Sequence, residues 1–154
     1  MDLLPTFCAL SGAKLPKATI DGFDITPLLF ARPEAKTPYE AFYYYRRRQL
    51  QAIRWGDWKW HLPLEKTFPQ WTNAEIVGPG RPGKLIDLGN DLQEKEDLTA
   101  SHPEVMDKMR ALATAAISRI GNEEKPGREQ RNATTLTGSK PMTLKKSINI
   151  PKNH

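Results

Sequence analysis

Lys59 and His61 stand two positions apart in a segment, WKWHL at 58–62, that is typical of a β-strand. Side chains of a strand alternate between its two faces, so these two residues share one face. The opposite face carries three apolar residues: Trp58, Trp60 and Leu62. Lysine and histidine are side chains that take part in acid–base and charge chemistry. The pattern therefore predicts that one face packs while the other faces a cleft or water.

The remaining titratable residues do not complete a metal or catalytic cluster. His102 stands at a predicted helix start and His154 at the chain end, both far from His61 in sequence. No phosphate-binding glycine loop, dinucleotide fingerprint or nucleophile elbow is present in the sequence. Four aspartates occupy turn-like settings where a carboxylate usually accepts from backbone N–H groups: Asp21, Asp24, Asp87 and Asp91. From the residues alone we predict no catalytic residue and no metal ligand, and therefore a binding or structural unit.

The composition fits one modest domain of 154 residues, 38% of them hydrophobic. No apolar run is long enough to span a bilayer, so no membrane partner is predicted. Met1 is not followed by a secretory signal pattern, which leaves the cellular compartment open. The single cysteine, Cys8, allows no intrachain disulfide and is predicted to be a small buried apolar residue.

The net charge of +5 raises the question of nucleic-acid binding. Residues 122–154 contain seven Lys/Arg and three Asp/Glu, so 7 − 3 = +4 of the charge lies in that segment. A second basic cluster, Arg46 to Arg48, follows three tyrosines, Tyr43 to Tyr45, and aromatic plus basic residues can bind single strands. Three arginines at a strand end are more often a solvated rim. We therefore predict no nucleic-acid partner.

The chain pattern predicts a small sheet between two helices. Asp2 is a candidate cap for a helix that carries Leu3, Phe7 and Leu10 on one face and ends at Gly12. Strand-like composition recurs in four segments: 39–46, 50–55, 58–62 and 84–88. The residues Gly56-Asp57 predict a hairpin turn, and the proline- and glycine-rich segment 63–83 predicts a long excursion away from the sheet.

A second, longer helix is predicted near the end of this pattern. Ser101 and Glu104 match a capping box, and apolar residues continue at helical spacing from Val105 to Ile120, before Gly121. The predicted fold class is therefore α+β: an antiparallel sheet of about four strands packed by one long helix, preceded by a short helix. An irregular, basic polar tail is predicted at 122–154.

An ordered series of short motifs covers roughly residues 1–121. The motifs of the first part are DLLPT (2–6), ALSGA (9–13), LP (15–16) and IDGFDITPLL (20–29). Those of the second part are FYY (42–44), AIRWGDWK (52–59), LIDL (85–88) with Asp91 and Glu94, and HPEV (102–105). In order and spacing this series resembles the C-terminal part of type I sulfatases, closest to the arylsulfatase A group. The segment 127–131 is similar to tails of bacterial members.

The resemblance implies an activity whose machinery lies in another domain. Type I sulfatases hydrolyse sulfate esters with a formylglycine, made from the Cys or Ser of a C/S-x-P-x-R motif, and with a calcium ion. Two segments, 101–105 and 139–143, match S-x-P but have Val105 and Thr143 where the arginine is required. Three further positions depart from the family pattern, which usually has Tyr, Pro and Asn there: Ile86, Leu92 and Asp97. Full-length relatives are usually exported.

The resemblance also implies a division of the chain into three parts. Residues 1–30 are expected to form the interface with a catalytic domain that precedes Met1, residues 31–121 the sulfatase-like C-terminal subdomain, and residues 122–154 the tail. Lys59 and His61 are expected at the lip of the substrate pocket, or else on a solvent or interdomain face. Three hypotheses stay open: an inactive sulfatase fragment, an interaction module for a separately encoded catalytic chain, and a basic single-strand binder.

Overall fold

The computed structural model describes residues 1–69, 76–123 and 125–130. Within these residues the fold is α+β, with a four-stranded antiparallel sheet, a short N-terminal helix and one long helix. The predicted fold class is confirmed for this part of the chain. Most of the predicted tail, from residue 131 onward, lies outside the described residues.

The N-terminal helix α1 spans Leu3–Ser11 and ends at Gly12, whose φ of 73° is the left-handed conformation that favours glycine. Helix α1 begins after Asp2 as predicted, but the Asp2 side chain does not cap it. Its carboxylate instead accepts hydrogen bonds from the Phe23 N–H and the Tyr39 hydroxyl. Asp2 therefore fastens the connector to α1, which the local capping pattern could not indicate.

A short second helix, α2, spans Thr26–Leu29 and lies against α1. Thr6 of α1 is fully buried, and its hydroxyl accepts a hydrogen bond from the Ile25 N–H at 3.2 Å. The Asp24 carboxylate accepts from the backbone N–H and the hydroxyl of Thr26. These polar contacts hold the first thirty residues together, although few of their apolar side chains are buried.

The main sheet has the strand order β1-β2-β3-β6, with every neighbouring pair antiparallel. Strand β1 spans Phe42–Arg46, β2 Gln49–Trp55, β3 Trp58–His61 and β6 Lys84–Asp87. These bounds lie within three residues of the predicted ones. Gly56 has a φ of 57° between β2 and β3, so the predicted hairpin turn is confirmed.

The segment between β3 and β6 leaves the sheet, as predicted, and forms a small sheet of its own. Strand β4 spans Leu64–Thr67 and pairs antiparallel with β5, Gly78–Arg81. The predicted long excursion did not include this pairing. The β5 sequence GPGR gives no strand signal, because glycine and proline are both depleted in strands.

The long helix α3 spans Pro103–Arg119 and covers one face of the main sheet. Its buried side chains join those of the strands in one core: Leu50, Ile53, Trp60, Leu85, Met106, Met109, Leu112 and Ala116. The predicted capping box at Ser101 is wrong. His102 occupies the cap position without a side-chain cap, and Pro103 begins the helix, where a missing N–H costs little.

The chain after α3 folds back onto the molecule. Two short strands, β7 at Gly121–Asn122 and β8 at Lys125–Pro126, pair with each other. The Asn122 side chain accepts a hydrogen bond from the Leu50 N–H at 2.8 Å, and the Glu123 N–H donates to the Arg48 carbonyl at 2.7 Å. The first residues of the predicted tail are thus part of the fold. In the described ranges no helix has the length and apolarity that crossing a bilayer requires.

Candidate functional site

The main sheet has two unlike faces. Ile53, Trp60 and Leu85 lie opposite one another on neighbouring strands and belong to the core under α3. The alternation of strand side chains places Lys59 and His61 on the other face, here called the outer face. On that face Lys59 pairs in register with Arg54 and Ile86, and His61 with Ala52 and Lys84. The predicted two-sided character of β3 is therefore confirmed.

Glu94 joins Lys59 and His61 through a single carboxylate. The Lys59 ammonium donates to Glu94 Oε1 at 2.6 Å, and His61 Nε2 lies 2.6 Å from Glu94 Oε2. The side chains of Lys59, His61 and Glu94 are 20%, 23% and 31% exposed, respectively. The group is therefore accessible to solvent but partly buried. A carboxylate accepts hydrogen bonds and donates none, so His61 Nε2 carries the proton in this contact.

The segment that follows β6 fixes the position of Glu94. The Asp91 carboxylate accepts from the Glu96 N–H at 2.8 Å, and the Asp87 carboxylate accepts from the Gly89 N–H at 2.9 Å. The Lys84 ammonium donates to the Glu94 backbone carbonyl at 2.6 Å. Glu94 itself has a φ of 55°, a left-handed backbone conformation that non-glycine residues rarely adopt. The surrounding bonds hold Glu94 in this conformation and aim its side chain at β3.

The charges of this group are balanced locally. The hydrogen bond from Lys59 is the main cause that lowers the pKa of Glu94, and the contact with His61 lowers it further. Burial acts in the opposite direction and is outweighed. Glu94 is therefore ionised at neutral pH and offsets the charge of Lys59.

Exposed aromatic rings continue the outer face beside this cluster. The Lys59 ammonium lies 5.5 Å from the centre of the Tyr44 ring, which is 44% exposed. Phe42 lies on the same strand and the same face, and its ring centre is 5.3 Å from that of Tyr39. The ring centres of Tyr39 and Phe23 are 5.1 Å apart. Aromatic side chains thus extend along the outer face from the Lys59–Glu94–His61 cluster towards the N-terminal connector.

Three of the four aspartates predicted in turns accept hydrogen bonds from backbone groups. Asp24, Asp87 and Asp91 each accept a backbone N–H from their own turn. Nowhere in the described ranges do three or more His, Cys, Asp or Glu side chains gather as a metal site would require. The calcium ion that the resemblance implies therefore has no fitting donor set within these ranges.

The tyrosines that precede the arginine cluster do not form one stacking surface. Tyr43 and Tyr45 pack against the core, whereas Tyr44 lies on the outer face. The Tyr45 hydroxyl donates to the Gly121 carbonyl at 2.9 Å, and the Arg46 guanidinium donates to the Pro69 carbonyl at 2.9 Å. These contacts tie the strand end to its neighbours.

Sequence reasoning matched Glu94 to a family turn but gave it no role at the site. The bond from Glu94 to Lys59 joins residues 35 positions apart, and such a contact leaves no local periodicity in the sequence. The signal that could have found it is the spacing in LIDL with Asp91 and Glu94, which places a carboxylate shortly after the strand beside β3.

The N-terminal helix presents apolar side chains to solvent. Leu3, Phe7 and Leu10, the face predicted to need a partner, are 65%, 59% and 52% exposed. Leu29 and Phe30, in and after α2, are 59% and 61% exposed. Cys8 is half-buried, which differs from the predicted buried position. It lines an apolar groove of about 330 Å³ between α1 and the connector.

Comparison with known proteins finds sulfatases as relatives for most of the chain, in agreement with the resemblance seen in the sequence motifs. The protein-family model described as the C-terminal region of aryl-sulfatase matches residues 37–143. Human arylsulfatase A is 32% identical over 128 residues, which are 73% of this chain and 25% of that protein. Mouse steryl-sulfatase is 32% identical over 141 residues, 78% of this chain and 22% of that protein.

A solved structure from work on the metabolism of multiple glycosaminoglycans by Bacteroides thetaiotaomicron shares the fold. Its TM-score is 0.59 at 27% identity, and the match covers 77% of this chain and 24% of that one. The chain thus spans about a quarter of the length of the relatives it matches. By sequence and fold together, this chain belongs to the sulfatase family and corresponds to the family's C-terminal region.

Proposed function

We propose that this chain acts as the C-terminal subdomain of a sulfuric ester hydrolase, with its outer face at the lip of the substrate pocket. Lys59 and His61 are the proposed lip residues. The nucleophile and the calcium ion are proposed to belong to a catalytic domain, so this chain by itself is proposed to be inactive. The substrate class is a sulfate ester, since the matched relatives are named as sulfatases.

The observation that carries the lip assignment is the placement of Lys59 and His61 together on the outer face, with both side chains partly exposed. The oxygen atoms of a sulfate ester carry a negative charge, and ammonium and imidazolium groups bind negatively charged oxygens through charge-assisted hydrogen bonds. The Tyr44 ring beside Lys59 adds an apolar surface for the organic part of the ester. Cationic and aromatic groups together fit an anionic ester better than either does alone.

The N-terminal part supplies the proposed contact with the catalytic domain. We assign this contact to residues 1–30, the sheet subdomain to residues 31–121 and the following segment to residues 122–154. Large apolar side chains that are half or more exposed are typical of a surface covered by another protein surface. On α1 and after α2 these side chains are Leu3, Phe7, Leu10, Leu29 and Phe30.

The test of this proposal co-expresses the chain with a sulfatase catalytic domain and measures hydrolysis of a chromogenic aryl sulfate. We expect no hydrolysis above a protein-free control from the purified chain and measurable hydrolysis from the pair. In the active pair, His61→Ala should raise KM about 10- to 100-fold, because a charge-assisted hydrogen bond contributes about 1.5–3 kcal/mol. Activity from the purified chain, free of contaminating enzyme, would show that the proposed inactivity is wrong.

His102→Ala is the matched control for the lip assignment. The His102 ring packs at a tilt against Trp58, whose side chain points to the core side of the sheet, so the same substitution there should leave KM unchanged. Unchanged kinetics in both variants would exclude His61 from the lip while leaving the subdomain assignment intact.

A second function is an interaction module that binds a separately encoded catalytic chain. The exposed apolar face of α1 favours it, because the same surface would serve a partner supplied in trans. Binding that is specific to the folded chain raises its apparent stability. A higher melting temperature in the presence of the purified partner would support this function, and an unchanged one would exclude it.

A further inference from the structure

We infer that Glu94 is a positioning residue that holds His61 in its Nε2–H form and leaves Nδ1 as the ring nitrogen that meets the substrate. The inference deepens the proposed function and rests on it for the word substrate. The Glu94 carboxylate is 2.6 Å from His61 Nε2 and can only accept, so the proton of that contact lies on Nε2.

The other ring nitrogen is left available. His61 Nδ1 has no hydrogen-bond partner in the described part of the chain, nor is it among the fully buried unpartnered atoms there. Nδ1 of a neutral Nε2–H imidazole accepts a hydrogen bond, for example from a hydroxyl group, and Nδ1–H of the imidazolium donates to a sulfate oxygen. A carboxylate on one nitrogen orients the ring and fixes what the other nitrogen presents.

Glu94 is built into the fold in a way that suits this task. Its backbone has the left-handed φ of 55°, and its carbonyl is bound by the Lys84 ammonium at 2.6 Å. Lys59 occupies the other carboxylate oxygen, which prevents the carboxylate from turning away from His61. The cluster therefore presents one fixed imidazole edge beside the exposed Tyr44 ring.

The test uses ¹⁵N NMR of the imidazole rings in the purified 154-residue chain, which contains three histidines. At a pH where the rings are neutral, we expect the wild-type His61 signals to show a protonated Nε2 and an unprotonated Nδ1. In Glu94→Gln the side-chain amide can donate to Nε2 as well as accept from it, so the fraction of the Nδ1–H tautomer should rise above that of the wild type. A dominant Nδ1–H form in the wild type would overturn the inference.

Two controls separate positioning from general damage to the fold. Glu104→Gln makes the same change beside His102, where the ring nitrogen and the carboxylate are 3.4 Å apart and the Glu104 side chain is 70% exposed, and should leave the His61 signals unchanged. His102→Gln assigns the spectrum. If Glu94→Gln does not fold, the wild-type tautomer still decides, because the inference requires Nε2–H there.

A titration with phenyl sulfate then tests the substrate side. We expect the His61 Nδ1 signal to move on titration, the His102 signals to stay, and the movement to be smaller in Glu94→Gln. A fixed Nε2–H tautomer with no response to phenyl sulfate would overturn the lip role of His61 and retain the positioning contact. A mobile tautomer with a response would overturn the role of Glu94 and retain the lip.

Discussion

At the scale of single residues, the contact of the Glu94 carboxylate with both Lys59 and His61 determines the properties of the outer face. An exposed ion pair contributes little to stability, about 0–1 kcal/mol, because water screens it and both side chains lose freedom. Glu94 differs from such a pair because its backbone is already held by Lys84 and by the turn around Asp91. Forming the contact with Lys59 therefore costs less conformational entropy, because the turn already restricts Glu94.

Glu94→Gln is expected to reduce the acid sensitivity of the fold. The folded state lowers the pKa of Glu94, mainly through Lys59, so its contribution is fully present above the unfolded value near 4.5 and is lost as pH falls through the folded value. The wild type should therefore exceed Glu94→Gln in free energy of unfolding at pH 7, and the difference should shrink below about pH 4.5. Urea unfolding followed by circular dichroism at several pH values measures this.

Glu104→Gln serves as the comparison for that measurement. The Glu104 side chain is 70% exposed, and its contact with His102 is long, at 3.4 Å. The free energies of unfolding of the wild type and Glu104→Gln should therefore differ little at every pH. A Glu94→Gln difference that stays constant from pH 7 down to pH 3 would mean that packing, and not ionisation, causes it.

The sequence was informative about some of these residues and silent about others. The alternation in WKWHL was enough to place Lys59 and His61 on one face, because a strand has a strict period of two. Glu94 was not predicted at the site, because its contact depends on how a distant turn lies over β3. The capping box at Ser101 failed because Pro103 begins the helix, which makes His102 and not Ser101 the N-cap residue.

At the scale of elements, helix α3 supplies much of the core. Met109 has no exposed surface and lies among the strand residues of the core. Met109→Ala should therefore lower the free energy of unfolding by about 2–5 kcal/mol, the usual cost of removing a large buried side chain. Chemical denaturation measures this, with Arg110→Ala as the exposed neighbour expected to change stability by about 0.5 kcal/mol or less. Equal effects in both variants would contradict the packing of α3.

The segment after α3 makes an equally specific contact. Asn122→Ala removes the acceptor of the Leu50 N–H, and Leu50 is 1% exposed, so water cannot replace the lost bond. The expected cost is about 1–3 kcal/mol. Thermal unfolding measures it, and Asn90→Ala, which removes an exposed bond to Asp87, should cost clearly less. A neutral Asn122→Ala would show that the contact between Asn122 and Leu50 adds nothing to the stability of the fold.

Element prediction succeeded where the local signal was strong. The strands around Gly56 and the helix from Val105 onward were predicted because aromatic, β-branched and periodic apolar residues dominate them. The β4–β5 pair was missed because GPGR carries a proline and two glycines, and its pairing depends on β4 offering a partner edge. The contacts of residues 121–123 were missed because their hydrogen bonds run to β2 and to the turn before β2.

At the scale of the whole molecule, polar contacts and exposed apolar surface coexist in the N-terminal part. Phe7→Ser should change the free energy of unfolding by about 0.5 kcal/mol or less, because the ring is 59% exposed. It should reduce the binding of a hydrophobic dye and the tendency to aggregate. Dye fluorescence and light scattering measure these effects.

Thr6→Val is the contrasting variant of the same helix. Thr6 is fully buried and its hydroxyl accepts the Ile25 N–H, so its loss should cost about 1–3 kcal/mol without reducing dye binding. If Phe7→Ser destabilised the chain as much as Thr6→Val, the face with Phe7 would be an internal packing surface.

The aromatic content of the β2–β3 hairpin has a spectroscopic consequence. Three of the four tryptophans, Trp55, Trp58 and Trp60, lie in this hairpin on the core side, and the fourth, Trp71, lies outside the described residues. Helix α1 contains no tryptophan. Intrinsic tryptophan emission therefore monitors the sheet and its core, whereas detachment of α1 from the connector would leave those three indoles in place. An unfolding curve followed by tryptophan fluorescence would therefore record the loss of the sheet. A second, helix-sensitive signal such as circular dichroism would be needed to record the unfolding of the N-terminal part.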